Sequence, residues 1–536
     1  MMFDLYLIIY GLLSLSFLDR YPYIHSDECW LASLSRDMMR AHSLSVTESV
    51  FNAKVRYPHA IKSFFHLLQQ AMIALFGYRP FSVRLLSLLC ALVFLRIFYA
   101  LLRRLTGSKK TAAVLTILLS LEPWFVMISH TARQEAPLTV LLVLVLYVLL
   151  PEPDAAAHPR ISLRPAVTAA LLTGIAIGFH PNSFLLASVS GAILILRAAQ
   201  DRAGRAVSFP AALRPLLVYT GITALFAAVF VAVSESFTPG FLSKYFAYGA
   251  EDFGLDAPPA QRLAELGGFF ARLFLRRSGT YDLPETRIFM ISGVLLTAGI
   301  TFFAIRKRDR TTARILAGLL GLTAGQYVIG RFNQMGFIFF FPFIYLLGAR
   351  AVCALKEHGG LYRRIAGPAC ILLISAMCLL CATHTVPWLS RPSYRDFEER
   401  LSALVPADEM TIANLNTGFY FAQGKLLDYR NLPFVTGDAQ GETADKTSRY
   451  ERIAAYIREN NVHYILFTAE LDYLYEHRPY YNVIYGNVMF IPALKEFCET
   501  HCDVAGRFTD TVYGARVIAL TGQEAYGEII VYRVRD

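Results

Sequence analysis

"FSVRLLSLLCALVFLRIFYALL", residues 81–102, is an apolar run interrupted by only two charges, Arg84 and Arg96. A helix that crosses a bilayer needs about 20 mostly apolar residues, so this run predicts a spanning helix. Similar runs lie at 3–18, 111–129, 136–150, 165–180, 183–197, 213–233, 287–305, 312–330, 335–355 and 366–387. The sequence therefore predicts a polytopic α-helical membrane protein of about eleven spans, with 3–18, 136–150 and 165–180 the weakest.

Composition agrees with this fold class. Hydrophobic residues make up 55% of the chain and charged residues 17%, whereas soluble domains are roughly one quarter charged. The 39 Phe and 29 Tyr suit lipid-facing surfaces and interfacial belts. The net charge of +10 comes from short basic clusters between the apolar runs. We therefore expect membrane lipids, and no nucleic acid, as partners.

Charge in the short loops predicts the orientation. The loops 103–110, 197–205, 306–310 and 356–364 are all net basic and, with eleven spans, fall on one side. The positive-inside rule puts that side in the cytoplasm. The N-terminal stretch lacks a basic n-region and a cleavage site, so it is predicted to be a retained first span rather than a signal peptide. The N-terminus is then predicted to lie on the inside. Segments 19–80 and 234–286, and the tail from about 388, are then outside.

The tail has a different character. Strand-like patterns occur at 409–415, 462–468, 515–520 and 528–534, and 448–460 has the periodicity of an amphipathic helix. We therefore divide the chain into a transmembrane domain, 1–390, and an extracytoplasmic α/β domain, 391–536. Cys498 and Cys502 are spaced for one helix face, and whether they form a disulfide is left open.

The first outer loop carries helical patterns of its own. Ser26 is a good N-cap for a helix whose first turn contains Asp27 and Glu28. A second pattern begins at Pro58, and both are predicted to be amphipathic helices on the outer membrane surface. The two acids have a simple interpretation as favourable charges at a helix N-terminus.

A third acid weakens that simple interpretation. Glu135 lies at the predicted outer end of the third span, on the same face as Asp27. Acidic residues at membrane depth are usually functional, because they must be paired or line a cavity. A structural pair between Arg133 and Glu135 is the alternative.

Six short stretches occur in an order that is typical of one superfamily. They are "SDECWLASLSRDMM" (26–39), "VRYPHAIKSFFHLL" (55–68), "LFGYRPFSVRLLSLL" (75–89), "TARQEAPL" (131–138), "LLTGIAIGFHPNSFLL" (171–186) and "RFNQMGFIFFFPFIYLLGA" (331–349). In order and sidedness they resemble the polyprenyl-phosphate-dependent GT-C glycosyltransferases, which include protein O-mannosyltransferases and lipid A aminoarabinose transferases. The resemblance covers about 355 residues. It departs from the family pattern at Cys29, Trp30, the single Pro58 and "FHPNS", where the family often has a lysine.

The resemblance implies roles for particular residues. Asp27 would be the general base toward an acceptor hydroxyl, while Glu28 and Glu135 would orient the acceptor or tune the base. His59 and His180 would bind sugar or phosphate. A leaving lipid phosphate needs cations. The candidates are Lys54, Arg56, Lys62, Arg79, Arg84, Arg133 and Arg331. Each of these side chains has the alternative of reaching toward lipid headgroups.

The implied function is inverting transfer of a sugar from a polyprenyl-phosphate carrier to a lipid, glycan or protein acceptor. The implied location is the outer face of a bacterial plasma membrane. No metal is expected, although some relatives use a divalent ion with paired acids. Two alternatives remain: a non-catalytic scaffold with an outer interaction domain, and a lipid-linked sugar transporter. A transporter predicts midplane charges and paired broken helices, and the charges noted, Arg84 and Arg96, lie toward span ends.

Overall fold

A computed structural model describes residues 2–150, 162–205, 208–253, 255–276, 281–329, 333–357, 359–442, 445–477, 488–515 and 527–535. Helices dominate this described part of the chain, and a small sheet lies near the C-terminus. The helices up to residue 385 are α1 (Met2–Phe17), α2 (Ser26–Ala41), α3 (Ser63–Phe76), α4 (Pro80–Thr106), α5 (Lys109–Ser120), α6 (Pro123–Ser129), α7 (Glu135–Leu149), α8 (Arg164–Ile177), α9 (Ser183–Arg205), α10 (Phe209–Phe237), α11 (Phe241–Phe253), α12 (Pro259–Phe274), α13 (Arg287–Lys307), α14 (Arg310–Ile329), α15 (Phe341–Glu357) and α16 (Gly359–Thr385).

Apolar helices occupy all eleven predicted positions. Among the described residues, seven are long and apolar enough to cross a membrane, or eight if α5 and α6 form one bent span. The three remaining helices, α1, α7 and α8, are apolar but shorter, and they are the three that the sequence marks as weakest. The protein is thus an integral membrane protein, while eleven crossings remain a prediction.

The third predicted span is not continuous, which corrects the sequence interpretation of 111–129. α5 and α6 meet at an angle of 71°. Pro123 opens α6 and has no N–H for the preceding turn, so the chain breaks here. The carboxylate of Glu122 is buried at the break and accepts a hydrogen bond of 2.9 Å from the Tyr345 hydroxyl. This acid within the predicted span escapes a search for charged runs, because it stands alone among apolar residues.

Residues of two loops that the sequence assigns to the inner side contact helix residues at the same predicted side. The Arg350 guanidinium binds the Asp309 carboxylate, and Lys356 Nζ donates to Thr111 Oγ1 over 3.0 Å. These contacts join the starts of α5 and α14 to the last turns of α15. Their meeting is what the predicted topology requires. The inward direction itself remains a prediction.

α2 is covered by protein on more sides than its amphipathic pattern suggests, and its position at the membrane surface remains a prediction. α2 is largely buried between α3 and the C-terminal unit. Arg36 Nη1 donates to the Phe421 carbonyl over 3.1 Å, and Gln423 Nε2 donates to Asp37 Oδ1 over 2.7 Å. Its partner face comes from residues far along the chain, which helical periodicity cannot reveal.

The second helix of this loop differs from its prediction only at its start. α3 begins at Ser63 rather than at Pro58. Leu67, Leu68 and Leu75 are exposed on α3 and give it an apolar outer face. The interfacial position that the sequence suggests for this helix therefore remains a prediction.

The C-terminal unit combines helices with a five-stranded mixed sheet. The strands are β1 (Thr411–Ala413), β2 (Leu426–Asp428), β3 (Tyr464–Thr468), β4 (Cys502–Thr509) and β5 (Glu528–Val534), and the helices are α17 (Tyr394–Ser402), α18 (Leu432–Val435), α19 (Lys446–Glu459), α20 (Ala469–His477) and α21 (Ile491–His501). The strand order is β2-β1-β3-β5-β4, with β1 parallel to β2 and β3, and β5 antiparallel to both neighbours.

Most predicted elements of this unit are present. β1, β3 and β5 fall within the predicted segments, and α19 overlaps the predicted helix but begins two residues earlier, whereas 516–520 of one predicted strand lies outside the described residues. The shared helix face expected for Cys498 and Cys502 is wrong, because α21 ends at His501 and Cys502 begins β4. Both cysteines are free thiols.

Candidate active site

The start of α2 points its two acids in different directions. His25 is the N-cap residue: its Nδ1 accepts from Asp27 N–H over 3.1 Å, and its own N–H donates to Glu28 Oε1 over 3.0 Å. This reciprocal arrangement is a capping box with histidine in the place of serine or threonine. It fixes Glu28 toward the protein interior and leaves the Asp27 side chain partly accessible, at 24% exposure.

Glu28 belongs to a fully buried ion pair with Arg84. The guanidinium donates to both carboxylate oxygens, over 2.8 and 2.7 Å, and to four backbone carbonyls of residues 18–23. Glu28 also accepts from the Ala132 N–H over 2.8 Å. These contacts use the N–H groups of Arg84 and join α2, α4 and the loop before α7. We therefore remove Glu28 as a catalytic candidate and Arg84 as a phosphate ligand, because both serve the fold.

Asp27 pairs with a different arginine. Arg133 Nη1 contacts Asp27 Oδ2, and the same guanidinium binds Glu135 through Nε and Nη2, each over 3.1 Å. The Tyr281 hydroxyl donates to Asp27 Oδ2 over 2.5 Å, and its ring stacks on His25 at 3.9 Å. Three segments distant in sequence thus meet at one carboxylate.

This surrounding decides the ionisation of Asp27. Burial is the largest single effect and raises the pKa of the carboxyl group, but the charges of Arg133 and His25 and the hydrogen bond from the Tyr281 hydroxyl together outweigh it. The pKa of Asp27 is consequently held well below its ordinary value. Asp27 is therefore a carboxylate at any physiological pH.

Lys62 supplies a second charge near this carboxylate. It precedes α3 with φ of 80°, a left-handed conformation that is costly for a residue with a side chain. Burial lowers the pKa of its ammonium group to about 8, as do Arg56 and Arg133, while Glu48 and Asp27 act in the opposite direction. Because these charges act on one another, Lys62 and Asp27 share one electrostatic environment.

His180 lies on the same side of the molecule as Lys62. Phe64 N–H donates to the Gly178 carbonyl over 2.8 Å, so the start of α3 is joined to the turn after α8. Lys62 is two residues before Phe64, and His180 is two residues after Gly178. His180 Nδ1 accepts from Asn182 N–H over 3.0 Å, which leaves the ring proton on Nε2. His59 is held neutral near pH 7, because burial and Lys62 lower its pKa to about 4.

Arg56 is part of an aromatic and acidic cluster beside α2. It donates to Glu48 over 3.1 and 3.0 Å, and its guanidinium lies 4.6 Å from the centroid of the Trp30 ring. Trp30 Nε1 donates to the same carboxylate over 2.5 Å. Burial raises the pKa of Glu48, but Arg56 and Trp30 hold it down at about 2. Arg56 is thus already paired with an anion.

The remaining phosphate-binding candidates are not found among the charged side chains around Asp27. Lys54 lies over the rings of Tyr248 and Phe434, at 5.8 and 5.3 Å. Arg79 is exposed at the start of α4, beside the Phe81 ring. Arg331 lies outside the described residues.

Sequence reasoning missed Tyr281, His25 and Glu48. Tyr281 follows no recognisable pattern, and its only signal is its position in a predicted outer segment. Glu48 lies between two helical patterns, where an acid is usually solvated. Among the described residues, no group of three or more His, Cys, Asp or Glu side chains is arranged to hold a metal ion.

Comparison with known proteins finds one matching family model and several structures of similar fold. Residues 63–199 match the family model described as dolichyl-phosphate-mannose-protein mannosyltransferase. The structure of ArnT from Cupriavidus metallidurans bound to undecaprenyl phosphate is similar over 99% of this chain and 97% of that one, with a TM-score of 0.61 and 14% identity. The Archaeoglobus fulgidus oligosaccharyltransferase tethered to an acceptor peptide is similar over 95% and 72%, with a TM-score of 0.52 and 11% identity. No curated protein matches the sequence.

These matches define the class of the protein. It is an integral membrane protein with the fold of the GT-C glycosyltransferases, and the resemblance seen in the sequence is confirmed. The family model matches only part of the transmembrane region, whereas the similarity of fold to ArnT extends through the C-terminal unit.

Proposed function

We propose that this protein is an inverting glycosyltransferase that moves a sugar from a polyprenyl-phosphate carrier to an acceptor at the outer face of the membrane. The observation that carries the proposal is the ionised, partly exposed carboxylate of Asp27, which is held by Arg133 and Tyr281 and lies within electrostatic reach of Lys62. A carboxylate for the acceptor and unused positive charge for the phosphate are the two requirements of this reaction.

Asp27 orients the acceptor hydroxyl and receives its proton. The acceptor oxygen attacks the anomeric carbon while the bond from that carbon to the phosphate oxygen breaks, and the hydroxyl proton passes to Asp27. The low pKa makes Asp27 a weak base, so proton transfer follows extensive cleavage of the bond to the phosphate. One displacement at the anomeric carbon inverts its configuration.

Lys62 and His180 provide donors for the departing phosphate. The ammonium group of Lys62 has no side-chain partner among the described residues and keeps its positive charge below about pH 8. His180 offers Nε2–H from the neighbouring turn. Arg133 is shared between Asp27 and Glu135, so we assign it to orienting Asp27 rather than to the phosphate.

The comparisons support a lipid carrier. The similar ArnT structure contains undecaprenyl phosphate, and the matching family model is named for a dolichyl-phosphate sugar donor. We extend this chemistry to the present chain as a donor of the polyprenyl-phosphate-sugar type. A bacterial plasma membrane and an extracytoplasmic site remain part of the proposal.

The experiment is donor consumption by the purified protein. A panel of polyprenyl-phosphate sugars is incubated with the protein and candidate acceptors, and the products are identified by mass. We expect one donor to be converted to free polyprenyl phosphate with the sugar on an acceptor. Movement of an intact lipid-linked sugar across the vesicle membrane without cleavage would instead support the transporter alternative. If the protein neither cleaves nor moves any donor, the scaffold alternative is favoured.

A further inference from the structure

The carboxyl ends of three parallel strands meet at one edge of the C-terminal sheet. The register places Ala413 at the end of β1 opposite Asp428 at the end of β2. Thr468 ends β3, the neighbour of β1 on its other side. Side chains alternate along a strand, so Asp428, Ala413 and Thr468 face the same side of the sheet. By the same register Ala413 is level with Leu466, and Thr468 lies two residues further along β3.

Asp428 and Arg430 form a pair that is only half satisfied. Asp428 Oδ1 accepts from the backbone N–H and the Nε of Arg430, over 2.8 and 2.7 Å. Asp428 Oδ2 and Arg430 Nη2 are both buried and have no partner among the described residues, and Thr468 Oγ1 is in the same condition. Asp428 itself is 1% exposed. Buried polar atoms are unfavourable without partners, and the Arg430 side chain beside them keeps 16% exposure.

This edge of the sheet faces the candidate active site. The Arg430 guanidinium lies 5.5 Å from the Trp30 ring centroid and 4.8 Å from that of Phe51. Trp30 follows Asp27 by three residues on α2, which puts both on one face of that helix. The charge of Arg430 is close enough to contribute to the low pKa of Asp27.

The two unpartnered atoms select a particular ligand chemistry. Asp428 Oδ2 accepts a hydrogen bond and Arg430 Nη2 donates one. A hydroxyl group donates and accepts, so neighbouring hydroxyls of a sugar satisfy both atoms. A phosphate offers only acceptors and is repelled by the carboxylate.

We propose that Asp428 and Arg430 form a sugar-binding subsite through which the C-terminal domain presents a sugar to Asp27. The proposal rests on the glycosyltransferase function above. The bound hydroxyls belong either to the transferred sugar or to a sugar of the acceptor. Both sources share the same chemistry.

A second aspartate–arginine pair in this domain provides a matched control. Arg449 binds Asp438 Oδ1 through Nε and Nη2, over 2.9 and 2.7 Å, and Thr436 Oγ1 donates to Asp438 Oδ2 over 2.7 Å. Both carboxylate oxygens are therefore partnered inside the protein. Arg449→Lys changes a similar pair without changing the proposed subsite.

The test compares Arg430→Lys, Asp428→Asn and Arg449→Lys in the full-length protein. We expect the first two to raise KM by about tenfold for one sugar-bearing substrate, with little change in kcat, while Arg449→Lys behaves as wild type. A higher KM for the donor identifies the transferred sugar, and a higher KM for the acceptor identifies the acceptor's sugar. Unchanged KM values for both substrates in a wild type that does transfer sugar would overturn the subsite alone.

A binding experiment tests the subsite independently of transfer. Saturation-transfer NMR with a panel of methyl glycosides should detect a sugar bound to wild type and to Arg449→Lys, but not to Arg430→Lys. Affinity for sugar-free polyprenyl phosphate should be equal in all three proteins. A parallel loss of polyprenyl-phosphate affinity in Arg430→Lys, or equal glycoside binding in all three, would contradict the proposal. Failure of the wild type to consume any donor would instead count against the glycosyltransferase function.

Discussion

Asp27 and Glu28 are adjacent on α2 but pair with different arginines, Asp27 with Arg133 and Glu28 with Arg84. Asp27 is partly exposed in a group of charged side chains, whereas the Glu28 pair is sealed inside the protein. One acid is therefore available to a substrate, and its neighbour holds together the elements that position it.

Glu28→Gln should damage folding rather than catalysis alone. The substitution leaves the Arg84 guanidinium buried without its anion, and removal of one partner from such a pair costs about 3–5 kcal/mol. We expect a markedly lower unfolding temperature in detergent and a poor yield of folded protein. Asp27→Asn serves as the control and should unfold near the wild-type temperature. A normally stable Glu28→Gln protein without activity would return Glu28 to the catalytic site.

Lys62 should make the rate of sugar transfer fall at high pH, which appears as a basic limb in the profile of kcat/KM against pH. Its pKa of about 8 means that the free protein loses this positive charge as the pH rises through that value. The kcat/KM for the donor should therefore fall above about pH 8, because kcat/KM reports groups of the free enzyme. Lys62→Arg stays protonated and should lack this limb. If both proteins show the same limb, Lys62 does not bind the phosphate as a cation.

In the same profile of kcat/KM against pH, protonation of Asp27 should produce an acidic limb, and Tyr281→Phe should shift that limb. The Tyr281 hydroxyl donates to the ionised form of Asp27, so its removal raises the Asp27 pKa. A hydrogen bond to a charged group contributes about 1.5–3 kcal/mol, which corresponds to a shift of about one to two pH units. The limb should move to higher pH with the loss of transfer at neutral pH remaining small. An unmoved limb would mean that another group governs it.

Glu135→Gln should lower the rate without removing it. Glu135 holds Arg133 through two hydrogen bonds, and glutamine keeps one oxygen acceptor for them. We expect kcat to fall by about tenfold, equivalent to about 1.4 kcal/mol, because Arg133 then holds Asp27 less firmly. The KM for the lipid donor should change little. A donor KM that rises while kcat is preserved would assign Glu135 to binding instead.

Sequence patterns predicted the membrane fold well, because apolar runs of this length rarely occur outside membrane-spanning helices. The run at 81–102 became α4, and the run at 366–387 became part of α16. The bend between α5 and α6 was missed because the apolar run appears continuous across Pro123. The burial of α2 was missed because its partner is the segment around Phe421 and Gln423, which lies more than 380 residues away.

The candidate site was predictable in part. Asp27, Glu135, Arg133 and Lys62 could be chosen from their predicted position at the outer face and from the resemblance to the GT-C family. Which acid pairs with which cation could not be predicted from the sequence. Two acids and several cations allow many combinations, and only the packing of the helices selects one. Tyr281 had no sequence signal beyond its position in a predicted outer segment, although it contacts Asp27 directly.

The most direct test is the rate of sugar transfer by Asp27→Asn with the donor that wild type consumes. Asparagine preserves the size of the side chain but cannot accept the proton, and general base catalysis contributes about 10²–10⁴-fold. We predict a fall in kcat of at least about a hundredfold, in a protein that retains its unfolding temperature and its affinity for polyprenyl phosphate. Transfer at the wild-type rate by folded Asp27→Asn would contradict the central claim.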